Sequence, residues 1–273
     1  MNAPVEAGLV PYVQRSAAGQ VVTLTLNRGD RYNPLSLAMI DALAAELDAA
    51  GADKDVRVVV IAASGKGFSA GHDLKEMRAH RDIGWQRMLF DRCNAMMMKL
   101  TQLPQPTIAR VHGIATAAGC QLVSMCDLAV ASDNASFALP GLNTAVFCTT
   151  PAVGVGRNVS RKRAMELLLT AAPIDAPTAL SWGLVNRVVP LAELDSTIDG
   201  LAATIIARSA PTIALGKRAF YAQIDRDLAG AYALAGETMA CNLLSEDAGE
   251  GIDAFVGKRA PQWPSARGDR TRN

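Results

Sequence analysis

Short apolar, β-branched runs alternate with helical segments along this chain, and that alternation constrains its fold more than any other feature. Val21-Val22-Thr23-Leu24-Thr25-Leu26-Asn27 reads as a strand. Asn33-Pro34 then offers a helix N-cap and a first-turn proline. Leu37, Ile40, Leu43 and Leu47 follow at helical spacing, and Gly51 ends that helix. Residues 57–63 form a buried strand, residues 64–71 a glycine-rich loop, 73–78 a short helix and 83–103 a longer one broken by Pro104 and Pro106. The next strands fall at 107–112 and 127–132, with a helix between them at about 119–125. A polar loop reaches from Pro140 to Thr150. Beyond it the chain is mainly helical, at 160–170, 176–182, 191–208, 211–224 and from Leu228 onward, with one short strand at 184–189. Strand and helix in alternation with short connections means an α/β fold. We expect a core over residues 1–200 and a helical region over 201–273, with a soft boundary near Ala210-Pro211 and a frayed end from Pro264.

Composition closes off several functions. Among 273 residues, 27 Lys and Arg stand against 26 Asp and Glu, for a net charge of +1. That balance excludes a strongly basic nucleic-acid binder and an acidic solvating protein. A chain 50% hydrophobic is not disordered. No run approaches about 18 uninterrupted apolar residues, so no membrane-spanning helix is expected. The five cysteines (Cys93, Cys120, Cys126, Cys148 and Cys241) show neither a disulfide framework nor the paired spacing of a zinc ribbon. They read as buried thiols in a reducing compartment. The first residues lack a basic start with an apolar run, which points to the cytoplasm.

Two familiar motifs fail on context. Gly67-Phe68-Ser69-Ala70-Gly71 matches the G-x-S-x-G nucleophile elbow after a strand. Such a hydrolase needs a late histidine, and none of His72, His80 and His112 lies beyond residue 112. Gly251 to Lys258 resembles a phosphate loop but has the wrong glycine spacing, and Arg259 replaces the Ser or Thr. No histidine pair is spaced for a metal, so no metal site is expected.

The segments Phe68–Lys75 and Gly113–Cys120 carry more information. Each follows a strand, is rich in small residues and opens a helix. Small residues admit a ligand to the backbone. Free N–H groups at helix starts favour negative charge. Two such amides on one oxygen form an oxyanion hole, a means of stabilising a thioester enolate. Two ordinary tight turns are the alternative.

Residues 68–77, 119–127 and 254–259 resemble the crotonase, or enoyl-CoA hydratase/isomerase, superfamily. Residues 164–170 and 179–189 continue the likeness, which spans about residues 13–263 in order. Residues 117–122 and 147–151 are similar to the branch typified by enoyl-CoA hydratase domain-containing protein 3. The resemblance implies a ββα spiral with a C-terminal helical trimerisation region, assembled as a homotrimer or a dimer of trimers. It implies an acyl-CoA thioester as substrate, with coenzyme A entering as part of that substrate and no permanently bound cofactor. By position, the family's oxyanion amides fall on His72 and Ala118. Its CoA-contacting residues fall on Ser69, Ala70, His72, Asp73, Leu74, Lys75 and Gly119. Phe255 and Lys258 match residues that reach a neighbouring subunit's CoA site.

The pattern breaks at the acid–base pair. Hydratases of the family use two glutamates, and these positions hold Gln121 and Gly141. An amide orients a water but cannot take its proton, and glycine offers no side chain. Each acid–base group contributes on the order of 10² to 10⁴ in rate. No Asp or Glu lies between Asp133 and Glu166 to substitute, and Cys148 is a remaining nucleophile candidate. Hydration of a 2-enoyl-CoA is therefore expected to be weak or absent. Two classes survive: an enzyme running a different or weak reaction, and a non-catalytic CoA-thioester binding protein. Restoring both glutamates should raise hydration if the pocket is otherwise intact.

Overall fold

A computed structural model describes residues 10–266. Its strands are β1 (Val13–Ala18), β2 (Val21–Leu26), β3 (Val58–Ala63), β4 (Thr107–Val111), β5 (Ala115–Thr116), β6 (Leu128–Ser132), β7 (Ser136–Ala138), β8 (Ile174–Asp175) and β9 (Arg187–Val189). Its helices are α1 (Leu37–Ala52), α2 (Leu74–Ala79), α3 (Ile83–Gln102), α4 (Ala118–Met125), α5 (Thr149–Asn158), α6 (Arg161–Thr170), α7 (Ala176–Trp182), α8 (Leu194–Ile206), α9 (Ala210–Gln223), α10 (Leu228–Leu243) and α11 (Glu246–Val256).

The large sheet runs in the order β1-β2-β3-β4-β6-β9, parallel throughout except for the antiparallel β1–β2 edge. Every residue of β3 is buried. Val59 and Ile61 face the main core beside α1 and α3, while Val58 and Val60 face Leu194, Ile198 and Ala202 of α8. A strand covered on both faces has to be apolar throughout, which is what residues 58–63 are.

A second, narrower layer consists of β5, β7 and β8. Two single bridges extend it, Ser69 with Ala115 and Leu35 with His72. Each turn of the chain thus supplies a long strand to the first layer, a short one to the second, and then a helix: β2, Leu35, α1; β3, Ser69, α2–α3; β4, β5, α4; β6, β7, α5. That is the spiral the resemblance implies. It leaves the loop after β3 and the loop after β4 as direct neighbours.

Several expectations are corrected. Strand β1 gives no signal in the sequence, because all of it beyond Val13 is exposed and Gln14, Arg15 and Ser16 leave no apolar run or alternation. Asn33 is not a cap: Ser36 caps α1 by accepting from Met39 N. Asn33 is instead fully buried at φ 49°. Its amide donates to the carbonyls of Ser64, Gly67 and Phe68, and its oxygen accepts from Arg28 N. The supposed polar loop up to Thr150 ends in α5, whose Val, Gly and Thr residues have weak helical propensity. Packing decides there: Gly154 lies against the Ser124 hydroxyl of α4, and Asn158 donates to Ser124 O. The helix from Leu228 breaks at Ser245, which caps α11.

The end is not frayed at Pro264. Residues 264–266 form a 3-10 turn in which Ser265 donates through its N and Oγ to Asp247, and Trp263 Nε1 donates to Ala207 O. The remainder of that stretch lies outside the described residues. Helix α8 runs through residue 200 and packs on the large sheet, so the purely helical region starts at Ala210.

Candidate functional site

The site grows from the contact between the two small-residue loops. Gly71 sits at φ +83°, a conformation that L side chains rarely adopt. A methyl group on it would also lie 2.9 Å from Ala118 N and from Thr116 O. A methyl on Gly119 would strike Ser69 O and approach Ser69 Cβ to 2.8 Å. Two backbones can come this close only without side chains between them. Hydrogen bonds from Phe68 N to Ile114 O and from Thr116 N to Ser69 O, both 2.9 Å, hold the loops in register.

Ala117 turns the chain into α4 at φ 49°, ψ −120°. A side chain in that region is strained, and such residues persist where the surroundings over-determine them. Here Ala117 N donates to Ala138 O, and Ala117 O accepts from Gln121 N. Ala118 N then opens the helix. Among the described residues, neither Ala118 N nor His72 N finds an acceptor in the chain. Ala118 N also stands at the positive end of α4.

Each expected residue has a definite place. The Ser69 hydroxyl is buried, donates to Asn33 O at 2.9 Å and accepts from Gly71 N. It ties the loop together, so the hydrolase alternative at Ser69 is set aside. Ala70 N donates to Tyr32 O, and Ala70 O accepts from Thr116 Oγ1. Asp73 caps α2 and pairs with Arg31 at 2.9 Å. Leu74 and Lys75 are exposed on the same turn. The His72 ring lies edge-on to Phe90, with its Nε2 buried and unpartnered. Burial pushes its pKa down to about 4. Gln121 is buried, and its Oε1 likewise lacks a partner.

Gly141 leaves no room for a side chain. A Cβ on Gly141 would overlap Val146 O and lie 2.8 Å from Cys148 Sγ. The residue-140 loop closes on itself, with Val146 N and Thr144 Oγ1 both donating to Gly141 O. Main chain and a thiol thus fill the space beside Gly141. Burial also raises the Cys148 thiol, which makes it a poor nucleophile. Cys93, Cys120 and Cys126 are buried as expected, whereas Cys241 is exposed.

Phe255 and Lys258 are not drawn to the loops within one chain. Phe255 is 85% exposed, and α11 packs on α10 and the closing turn. Among the described residues, no cluster of three or more His, Cys, Asp or Glu could hold a metal, and no single helix is long and apolar enough to cross a membrane.

Comparison with known proteins adds a family model, enoyl-CoA hydratase/isomerase, that matches residues 16–266. The rat enoyl-CoA hydratase domain-containing protein 3, mitochondrial, is 45% identical over 240 residues, which cover 88% of this chain and 80% of the relative. The human protein of that name is 44% identical over 240 residues, 88% of this chain and 79% of the relative. Among solved structures, an enoyl-CoA hydratase from Mycobacterium smegmatis superimposes with a TM-score of 0.91 at 50% identity, covering 93% of this chain and 99% of that one. The human domain-containing protein 3 superimposes with a TM-score of 0.89 at 42% identity, covering 92% and 100%. These relatives overturn the expectation of a cytoplasmic protein, since the rat, mouse and human proteins are all named as mitochondrial.

Proposed function

The chain belongs to the enoyl-CoA hydratase/isomerase family, and from that premise we propose that it binds acyl-CoA thioesters and polarises the thioester carbonyl between the N–H groups of His72 and Ala118. The observation that carries this reading is the approach of Gly71 to Ala118 N with both neighbouring amides unspent. A pair of fixed donors acts where charge develops on the oxygen, and it needs no reorganisation to do so. Residues 69–75 and Gly119 line the entry for the CoA moiety. Phe255 and Lys258 reach the CoA site of a neighbouring copy in a homotrimer or dimer of trimers. The apolar surface left bare on the C-terminal helices supports that assembly, with Phe220, Leu228, Tyr232 and Phe255 all exposed.

Hydration of a 2-enoyl-CoA requires a proton to be taken from water and another delivered to carbon. Gln121 can hold the water and can do neither, and position 141 has no side chain and no space for one. Turnover of crotonyl-CoA is therefore slow or absent, each missing group costing on the order of 10² to 10⁴ in rate. Steady-state kinetics with crotonyl-CoA test this, and turnover of about ten per second or more, ordinary for an enzyme, would contradict it. A second reading, a CoA-thioester binding protein without turnover, is favoured by the plugged position 141. Binding of butyryl-CoA with no conversion of any enoyl thioester would select it.

A further inference from the structure

The His72 N–H is aimed from a part of the chain well before it in sequence. A peptide group is planar and trans, so its N–H points away from its own C=O. Whatever holds the Gly71 carbonyl therefore sets the direction of the His72 N–H. Leu35 N donates to Gly71 O at 2.8 Å. The Ala118 N–H is set in the same way, through Ala117 O, which accepts from Gln121 N at 3.0 Å. That second bond comes with the first turn of α4, whereas the Leu35 bond depends on a separate turn of the chain.

This turn grips the loop after β3 at almost every step. Ala70 N donates to Tyr32 O at 2.8 Å, and Ser69 Oγ donates to Asn33 O at 2.9 Å. The Asn33 amide donates to Ser64 O at 2.9 Å and to Gly67 O and Phe68 O at 3.1 Å. Ser69 Oγ in turn accepts from Gly71 N at 3.2 Å. Gly71 is thus tied to the turn through its carbonyl directly and through its N–H by way of Ser69. Further on, Leu37 N donates to Glu76 Oε2 at 2.9 Å.

The turn itself is strained. Tyr32 at φ 60° and Asn33 at φ 49° are two successive left-handed residues, and neither is glycine. Asparagine tolerates that region better than most side chains. Such conformations persist where the surroundings over-determine them, and they gather where a geometry is put to use. Asn33 is fully buried, so it can act on a ligand only through the loop it holds.

Resting on the acyl-CoA reading, we infer that residues 32–35 are the element that aims the His72 N–H at the thioester carbonyl, with Asn33 as its positioning residue. Isotope-edited infrared difference spectra of the full chain, saturated with butyryl-CoA labelled at the thioester carbonyl, test this. In the wild type the bound carbonyl stretch should move to lower frequency than in free butyryl-CoA. Glycine accepts a left-handed backbone without strain, so Asn33→Gly removes the carboxamide and spares the turn. In that variant the displacement should fall by about half or more, since one of two donors is misdirected. The frequency is read at saturation, so a weaker affinity does not enter. Ser69→Ala breaks the link from Asn33 O to Gly71 N, should act in the same direction, and carries the test if Asn33→Gly fails to fold. A full wild-type displacement in the variants overturns the inference and leaves the acyl-CoA reading standing. A folded Asn33→Gly that binds neither butyryl-CoA nor free coenzyme A also overturns it, because Asn33 would then support the whole site. A wild type that binds butyryl-CoA without displacement overturns the polarising pair and the positioning role together. A wild type that does not bind butyryl-CoA overturns the acyl-CoA reading itself.

Discussion

Gly141 shows how much one missing Cβ can mean. The clash that any side chain would meet there is with a backbone carbonyl, which cannot swing aside as a side-chain tip would. Gly141→Ala should therefore destabilise the protein by about 1–3 kcal/mol, the usual range for forcing atoms into filled space, read from urea denaturation. The double variant Gln121→Glu, Gly141→Glu should gain no crotonyl-CoA hydration, and a clear gain would show that the loop opens readily. His72 makes a separate prediction about pH. Its ordinary value near 6.5 falls to about 4 on folding, through burial. The unfolded chain therefore binds the proton more readily than the folded one. The stability this ring contributes is complete above about pH 6.5 and is lost as pH falls through 4. The loss is on the order of 1–3 kcal/mol. Histidine NMR titration should find the His72 ring neutral at pH 5.5, and a midpoint near 6.5 would contradict its burial.

Helix α4 carries the site at one end and an anchor at the other. Past its C-terminus, Asp127 accepts from Thr107 N and Oγ1, from Lys217 Nζ at 2.6 Å and from Tyr221 OH at 2.9 Å. Lys217 also donates to Leu100 O and Gln105 O, so one buried ammonium joins α9 to the ends of α3 and α4. Desolvation lowers its pKa, and Asp127 pulls it back up. Lys217→Met should cost about 3 kcal/mol in chemical denaturation, because it removes the one cation from a largely buried carboxylate and leaves the Leu100 and Gln105 carbonyls without their donor.

At this scale the sequence is a good guide wherever periodicity is strong. Strands β3 and β4 and helices α1 and α3 follow their apolar spacing. Helix α5 escapes because its residues are poor helix formers held by neighbours. The two-residue strands β5 and β8 are too short to carry a period. The loops of the site are legible as runs of small residues before helices. What cannot be read there is the role of Asn33 in pinning the loop after β3, or the closure at Gly141, since both depend on contacts set by turns and not by composition.

For the molecule as a whole, the exposed apolar surface is the main unresolved force. No residue of α9 or α10 is fully buried in the single chain, and Ile224, Met239, Leu243 and Leu244 are open to solvent beside Phe220 and Tyr232. Light scattering after size-exclusion chromatography should report a mass of three or six chains. Phe220→Asp together with Tyr232→Asp should shift it towards one. A monomeric wild type would remove the role proposed for Phe255 and Lys258 at a neighbour's site.

The folded-back segment around Gly141 also bears on engineering. The backbone occupies the space that any side chain at this position would need. Introducing water addition through a carboxylate there would first require residues 140 to 148 to be rebuilt. A loop transplant is therefore the starting point for recovering that chemistry, with point changes only afterwards.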